Sequence, residues 1–230
     1  MPSTERASLT YAFDAYCAWC YGFGPALRTF AEDNAHRIRI GIVSAGLNTG
    51  ARALPTAAYP HLSAERGTVT RLTGGVFGTG YDRALSQGTT VLDAAAAAAA
   101  GLAALRDQVG ISELDATEAM QRAWFVDGRS LSDAEVYREI AVALSLDADA
   151  VTSAFRSSAG QVKARSDFRT LRRLRVRSYP TLLLNTAHAA DHMGDAGSTA
   201  ASLTSALDQR MNTTTPPLPS HDLPPQGEPS

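Results

Sequence analysis

Along the first 45 residues the hydrophobic pattern changes period twice. Residues 8–15, "SLTYAFDA", are rich in β-formers and predict a buried strand. From Cys17 onward apolar side chains return at spacings of three and four, at Trp19, Phe23, Leu27 and Phe30, which is one face of a helix. Residues 37–44, "RIRIGIVS", then alternate, with Ile38, Ile40 and Ile42 on one face and Arg37 and Arg39 on the other. Strand, helix and strand in so short a span predict two parallel strands joined by a crossover helix.

The pattern then leaves this unit. Residues 44–60 are punctuated by glycine and proline and read as a loop. From 61 to about 165 no strand pattern appears. A helix is predicted over 91–105, "VLDAAAAAAAGLAAL", by alanine propensity. Another follows over 112–126, capped at Ser112 and carrying Met120, Trp124 and Phe125 on one stripe. A third covers 132–144, where Ser132 and Glu135 form an S-x-x-E capping box, and a short one starts at 147. Phe168, Leu171 and Leu174 form a last helical stripe ending near Val176, ahead of Tyr179, Pro180 and the strand "TLLLN". A short strand, a glycine turn and a helix capped at Ser198, with Leu203 and Leu207 inward, complete the ordered chain. From Asn212 the chain is rich in Pro, Ser and Thr, the composition of a disordered tail. The expected organisation is therefore 1–50, a helical block over 51–165, 166–211, and a tail over 212–230.

Composition adds bounds. Hydrophobic residues make up 44% of the 230, enough for a proper core, and the net charge is −2. That balance argues for no nucleic-acid partner and no anionic membrane surface. The N-terminal segment has no apolar run before "TERAS", and no stretch is long and apolar enough to span a bilayer. The expectation is a soluble, cytoplasmic protein.

The two cysteines, Cys17 and Cys20, narrow the chemistry. A structural disulfide is out of place in a reducing compartment, so C-x-x-C spacing leaves a redox pair, half of a metal site, or two incidental core thiols. Zinc needs four ligands, and there is no second C-x-x-C; His188 and His192 sit far downstream with no further ligand pattern, so no metal is expected. A helix that begins at Cys17 points its unpaired N–H groups and positive end at the Cys17 sulfur. That field favours thiolate, and in sites of this kind the pKa falls from ~8.5 into the range ~3.5–7.5. Cys20, one turn deeper, is expected to stay protonated and to attack only once a mixed disulfide has formed on Cys17. Pro25 either kinks this helix, setting how its first turn presents the sulfurs, or marks an end to it at Gly24.

"YCAWC" after a strand, Pro25 at its offset and "VRSYPTLLL" downstream resemble the thioredoxin superfamily. The resemblance implies a cis peptide bond at Tyr179–Pro180 facing the cysteines, with the Tyr179 backbone open to pair with an extended substrate. A helical block between the two halves implies the DsbA-like α/β form, a thioredoxin fold split by a large all-helical insertion. "DAYCAWCYGFGPAL", "AWFVDGRSLSD" and "RRLRVRSYPTLLL" resemble the FrnE-type branch of cytoplasmic disulfide isomerases, related to 2-hydroxychromene-2-carboxylate isomerases. This implies a thiol–disulfide oxidoreductase with Cys17 and Cys20 catalytic, Trp19, Tyr179 and Pro180 contacting substrate, and Asp14 and Pro25 in support. No cofactor is expected beyond a low-molecular-weight thiol as co-substrate; the partners are disulfide-containing proteins or small thiols.

The chain departs from that pattern in places. Ala15 replaces the usual proline. Tyr11 stands where thioredoxins bury an acid, which leaves Asp14 as the nearest carboxylate, either assisting proton transfer from Cys20 or capping the helix. Relatives that use a thiol cofactor for small-molecule isomerisation or transfer have serine at the first cysteine position and lack the second; that activity is the alternative reading, and a non-catalytic peptide- or metal-binding module is a third. "RTLRRLRVR" (169–177) is read as a solvated basic face, or as a patch that steers acidic substrates or the carboxylates of a small thiol. His36, His61 and His221 are scattered and read as surface residues.

Overall fold

The computed structural model of the chain describes residues 6–186 and 189–213. Its sheet draws β1 (Ala7–Phe13) and β2 (Ile38–Ser44) from one end of the sequence and β3 (Thr181–Asn185) and β4 (Ala190–Asp195) from the other, in the order β2-β1-β3-β4. β1 and β2 are parallel, with Ala7 opposite Ile38 and Phe13 opposite Ser44, as the strand–helix–strand pattern predicts. β3 runs antiparallel to β1, with Ala12 opposite Thr181, and β4 returns antiparallel on β3. This register sets the end of β1, which leads to Cys17, beside the start of β3, which follows Pro180.

The crossover helix α1 (Ala18–Asp33) buries Ala18, Cys20, Phe23, Leu27 and Phe30 and continues through Pro25, so the reading that it ends at Gly24 is overturned. Between β2 and β3 come α2 (Leu62–Thr73), α3 (Thr79–Gln87), α4 (Ala99–Arg106), α5 (Glu113–Phe125), α6 (Ala134–Ala143), α7 (Ala148–Arg156) and α8 (Ser158–Arg173); α9 (Ala200–Thr213) closes the fold with Leu203 and Leu207 buried. This is a thioredoxin-type sheet split by helices.

Several ends differ from the sequence reading, each for a local reason. The helix predicted over 91–105 starts as a π-helix at Ala94–Ala98, the Ala98 N–H reaching the Asp93 carbonyl, before α4; alanine propensity favours helix without specifying its winding. Ser112 caps α5 as predicted, its hydroxyl accepting from the Asp115 N–H. Asp133 rather than Ser132 caps α6, accepting from the Glu135 N–H at 2.9 Å. At α9 the cap is Thr199, which exchanges hydrogen bonds with Ser202, while the Ser198 hydroxyl accepts from Asp195. α9 also extends past Asn212 to Thr213, where the tail was expected; the rest of that tail lies outside the described residues.

Helices and sheet are joined at the outer edge of β2. The Ile42 N–H donates to Glu113 at 2.8 Å, the Ser44 N–H donates to Asp167 at 3.1 Å, and Arg106 donates to the Ile42 carbonyl at 2.5 Å while pairing with Asp167 at 2.8 Å. Within the helices Gly101 interrupts the alanine run because a Cβ there would lie 2.0 Å from the Tyr137 ring.

Candidate functional site

Cys17 is the N-cap of α1. Its backbone is extended, and its sulfur accepts a hydrogen bond from the Cys20 N–H at 3.3 Å, so the sulfur meets the helix N-terminus as the spacing implies. Opposite, the Tyr179–Pro180 peptide bond is cis, and the Cys17 thiol donates to the Tyr179 carbonyl at 3.6 Å. Cys17 is only 7% exposed, because the Tyr179 loop lies against it. Both cysteines are free thiols.

Cys20 is fully buried one turn deeper. Burial pushes its thiol well above the usual cysteine value, and the hydrogen bond and charge of Cys17 and the charge of Asp14 push the same way; a backbone hydrogen bond from Asp14 pulls it down. Tyr11, in β1, packs its ring 5.9 Å from both Phe13 and Phe23, and its hydroxyl donates to the Cys20 carbonyl at 3.4 Å. Burial, then the charges of Cys20 and Cys17, raise its phenol well above the ordinary tyrosine value. The sequence marked Tyr11 only as a departure; its place on the inward face of β1, in register with Leu9 and Phe13, was the signal for its contact with the site.

Asp14 is 1% exposed and does not cap α1. One carboxylate oxygen accepts from the Tyr16 N–H at 3.0 Å and the other from the Leu47 N–H at 2.7 Å, so it ties the β1–α1 turn to the loop after β2. Burial raises its carboxyl above the usual carboxylate value, against the N–H bonds from Leu47, Tyr16 and Gly46. Trp19 is partly buried and, with Pro25, Leu72 and Ser198, lines a cavity of about 460 Å³ beside the first turns of α1. Tyr179 lines a second cavity, of about 580 Å³, with Leu47, Arg52, Phe168, Arg172 and Arg177. The structure thus gathers Cys17, Cys20, Tyr179, Pro180 and Asp14 within one site; Trp19 borders it, and Pro25 lies further along α1.

Among the described residues no group of three or more His, Cys, Asp and Glu could hold a metal ion. His192 is exposed in β4 and His188 lies outside the described residues; His36 and His61 are exposed as read, and His221 also lies outside. Among the described residues no helix is long and apolar enough to cross a membrane.

A reduced C-x-x-C at a helix start, across from a cis-proline, on a sheet split by helices defines a thioredoxin-fold protein with a helical insertion. The chain belongs to the DSBA-like thioredoxin domain family, whose match runs over residues 9–197. Solved structures agree on the fold. The cytosolic disulfide reductase DsbM from Pseudomonas aeruginosa shares 22% identity over 90% of this chain and 99% of its own, with a TM-score of 0.76, and its form with GSH superposes at 0.73. A Nitrosomonas europaea protein, provisionally assigned as a protein disulfide isomerase, matches at 20% identity over 92% of this chain and 100% of its own, with a TM-score of 0.79. A 2-hydroxychromene-2-carboxylate isomerase matches at 14% identity, 90% and 95% coverage and a TM-score of 0.62. No curated protein matches the chain.

Proposed function

We propose that the protein is a cytoplasmic dithiol oxidoreductase that reduces or isomerises disulfides with Cys17 as nucleophile and Cys20 as resolving thiol. The Cys17 thiolate attacks a substrate disulfide; a Cys17–substrate disulfide forms and the other substrate sulfur leaves as thiolate. Cys20 then gives up its proton and attacks the Cys17 sulfur, closing the Cys17–Cys20 disulfide and releasing the second substrate thiolate. Two electrons pass from protein to substrate, and an external thiol restores the dithiol. When a substrate thiol displaces Cys17 before Cys20 acts, the outcome is isomerisation. No cofactor beyond that thiol enters the cycle.

The observation that carries this reading is the placement of the Cys17 sulfur, 3.3 Å from the Cys20 N–H and 3.6 Å from the Tyr179 carbonyl. A helix N-terminus stabilises the attacking and leaving thiolate. The Tyr179 backbone lies where an extended substrate pairs with it, and Trp19 borders a cavity that receives a neighbouring side chain. In this reading residues 1–50 and 166–211 form the catalytic unit and 51–165 the insertion, and Asp14 holds the two loops around the sulfurs. The cytosolic relative with GSH supports small thiols as partners beside disulfide-bonded proteins. The isomerase likeness keeps the small-molecule alternative in view, but retention of both cysteines favours dithiol exchange.

The test is insulin reduction and refolding of a scrambled disulfide protein. Cys17→Ser abolishes both, and Cys20→Ser accumulates covalent mixed disulfides with substrate. If both variants retain full activity, the proposal is wrong.

A further inference from the structure

A third cavity, of about 400 Å³, lies between α1, α5 and the loop that follows α2. Tyr21, Gly24 and Arg28 line it from α1, Gly75 and Val76 from the loop, and Gln121 from α5. Its walls are tied together. The Tyr21 hydroxyl donates to the Val76 carbonyl at 2.6 Å, and the Tyr21 ring stacks on Phe125 with centroids 4.9 Å apart. Arg28 donates to Glu118 at 2.8 Å and to Asp115 at 2.5 Å, so the cation of this lining is already engaged.

Two polar groups of this lining lack their usual partners. Gln121 is 4% exposed, yet among the described residues its amide nitrogen has no hydrogen-bond partner. Its amide oxygen lies 3.9 Å from where a Cβ on Gly24 would stand, so the amide end reaches across the cavity to α1. A buried amide N–H without an acceptor is destabilising in a way that a methionine of similar shape is not. On α1, Pro25 shares the lining and has no N–H for the Tyr21 carbonyl one turn back. A structural account covers Gly24, because in a helix a Cβ just before a proline crowds the ring. It leaves the Gln121 amide unexplained.

A donor and an acceptor on facing walls match one ligand chemistry, an amide, whose carbonyl accepts and whose N–H donates. The place on the helix says which amide. Tyr21, Gly24 and Arg28 follow Cys17 by four, seven and eleven residues; at about 100° per residue all three stay within about 40° of its bearing on α1. Gly24 is about 10 Å along the axis from Cys17 at about 1.5 Å per residue. Three extended residues at about 3.3 Å each cover that distance.

We infer that this cavity holds a main-chain amide of a polypeptide substrate, about three residues from the cysteine under attack, with its carbonyl accepting from Gln121 and its N–H donating to the Tyr21 carbonyl. The inference rests on the proposed exchange reaction and gives it a second grip on polypeptide, apart from the Tyr179 backbone. The covalent step is the same: the Cys17 thiolate bonds the substrate sulfur, the other sulfur leaves as thiolate, and Cys20 then releases the substrate.

The test follows oxidation of the reduced full chain by two mixed disulfides of 2-mercaptoethanol. One carries N-acetylcysteine amide; the other carries a capped heptapeptide with a central cysteine and Ser-Ala-Ser on each side. Each rate is divided by the same disulfide's rate with dithiothreitol, and the ratio of the two is the peptide preference. The parent prefers the heptapeptide by about fivefold or more, and Gln121→Met lowers that preference about fivefold. The thermal midpoint of Gln121→Met is at or above that of the parent, because the buried N–H is gone. Absence of peptide preference in the parent, an unchanged preference in the variant, or a variant that melts below the parent overturns this inference and leaves the exchange reaction standing. A second measurement uses the Cys20→Ser protein with each thiol trapped on Cys17. The NMR signals of the Gln121 side-chain amide protons differ between the heptapeptide and single-residue adducts; identical signals overturn the inference. Failure of the parent protein to react with either disulfide overturns both readings.

Discussion

The Cys17 thiol donates to the Tyr179 carbonyl at 3.6 Å, across 162 positions of sequence. Two pieces of local structure make the pair. The end of β1 delivers Cys17 to the start of α1, and the antiparallel pairing of Ala12 with Thr181 fixes where β3 begins. Apart from β2 the chain between them is helix and loop, so the reactive geometry depends on the sheet register and on what anchors the helices to it.

Cys20 is buried and its thiol is raised, chiefly by that burial. A raised pKa keeps the proton on at neutral pH, so the thiolate fraction grows about tenfold with each pH unit until the raised value is reached. In the Cys17→Ser protein, iodoacetamide is expected to label Cys20 about 100-fold more slowly than it labels Cys17 in the Cys20→Ser protein at pH 7.5. The Cys20 rate should still be climbing at pH 9. Mass spectrometry of timed quenches checks this, and equal rates at neutral pH would contradict it.

Asp14 gives a pH signature with a definite sign. Its folded carboxyl is raised by burial, so the folded state holds the proton more tightly than the unfolded chain. The stability contributed by that proton is complete below the unfolded value of about 3.9 and is lost as pH rises through the folded value. Asp14→Asn has no proton to lose, but its one amide oxygen cannot serve both Leu47 and Tyr16. The variant is expected to be about 1–3 kcal/mol less stable at pH 4, with the difference narrowing toward pH 7. Urea melts of both proteins across that range measure it; a difference that widens with pH would reject the assignment.

Two glycines in helices should respond in opposite directions. A Cβ at Gly101 would lie 2.0 Å from the Tyr137 ring, which is buried and cannot swing away, whereas a Cβ at Gly67 in α2 meets nothing within 4 Å. Gly101→Ala is expected to cost about 3 kcal/mol or more through overpacking. Gly67→Ala is expected to stabilise by about 0.5–1 kcal/mol through helix propensity. Denaturant midpoints decide; a neutral Gly101→Ala would mean that α4 and α6 do not pack as described.

Arg106 bonds the Ile42 carbonyl and Asp167, and the Arg106 and Asp167 side chains are each 17% exposed. Arg106→Ala leaves Asp167 with the Ser44 N–H but without its cation, and is expected to cost about 2–3 kcal/mol. Because the pair is largely covered, 0.5 M salt should weaken the parent far less than the substitution does. Thermal melts of both proteins with and without salt compare the two effects.

The sequence carried the sheet and the cysteine pair because their signals are short-range. β1, α1 and β2 each had a clear period, and Tyr179–Pro180 ahead of a strand is a local mark. What it did not carry were contacts set by tertiary packing. Tyr11 could be counted as six positions before Cys17, but only folding brings its hydroxyl to the Cys20 carbonyl. Asp14 looked like a helix cap by position; its second partner, Leu47, lies 33 positions downstream on a loop with no pattern. The basic run 169–177 read as a solvated face or a steering patch, with nothing local to say where its side chains lie; the turn after α8, where Arg175 adopts a φ of 57°, brings Arg177 into one cavity lining with Arg52 and Tyr179. Caps at Asp133 and Thr199 were missed by one residue because adjacent Ser, Thr and Asp side chains compete for the same N–H groups.

The acids and the arginine along the outer edge of β2 have a further effect. Glu113 and Asp167 occupy the Ile42 and Ser44 N–H groups, and Arg106 occupies the Ile42 carbonyl, so at the C-terminal end of this edge the groups an incoming β-strand needs are already taken. A bare strand edge is a template for uncontrolled zippering with another chain, and these side chains blunt it.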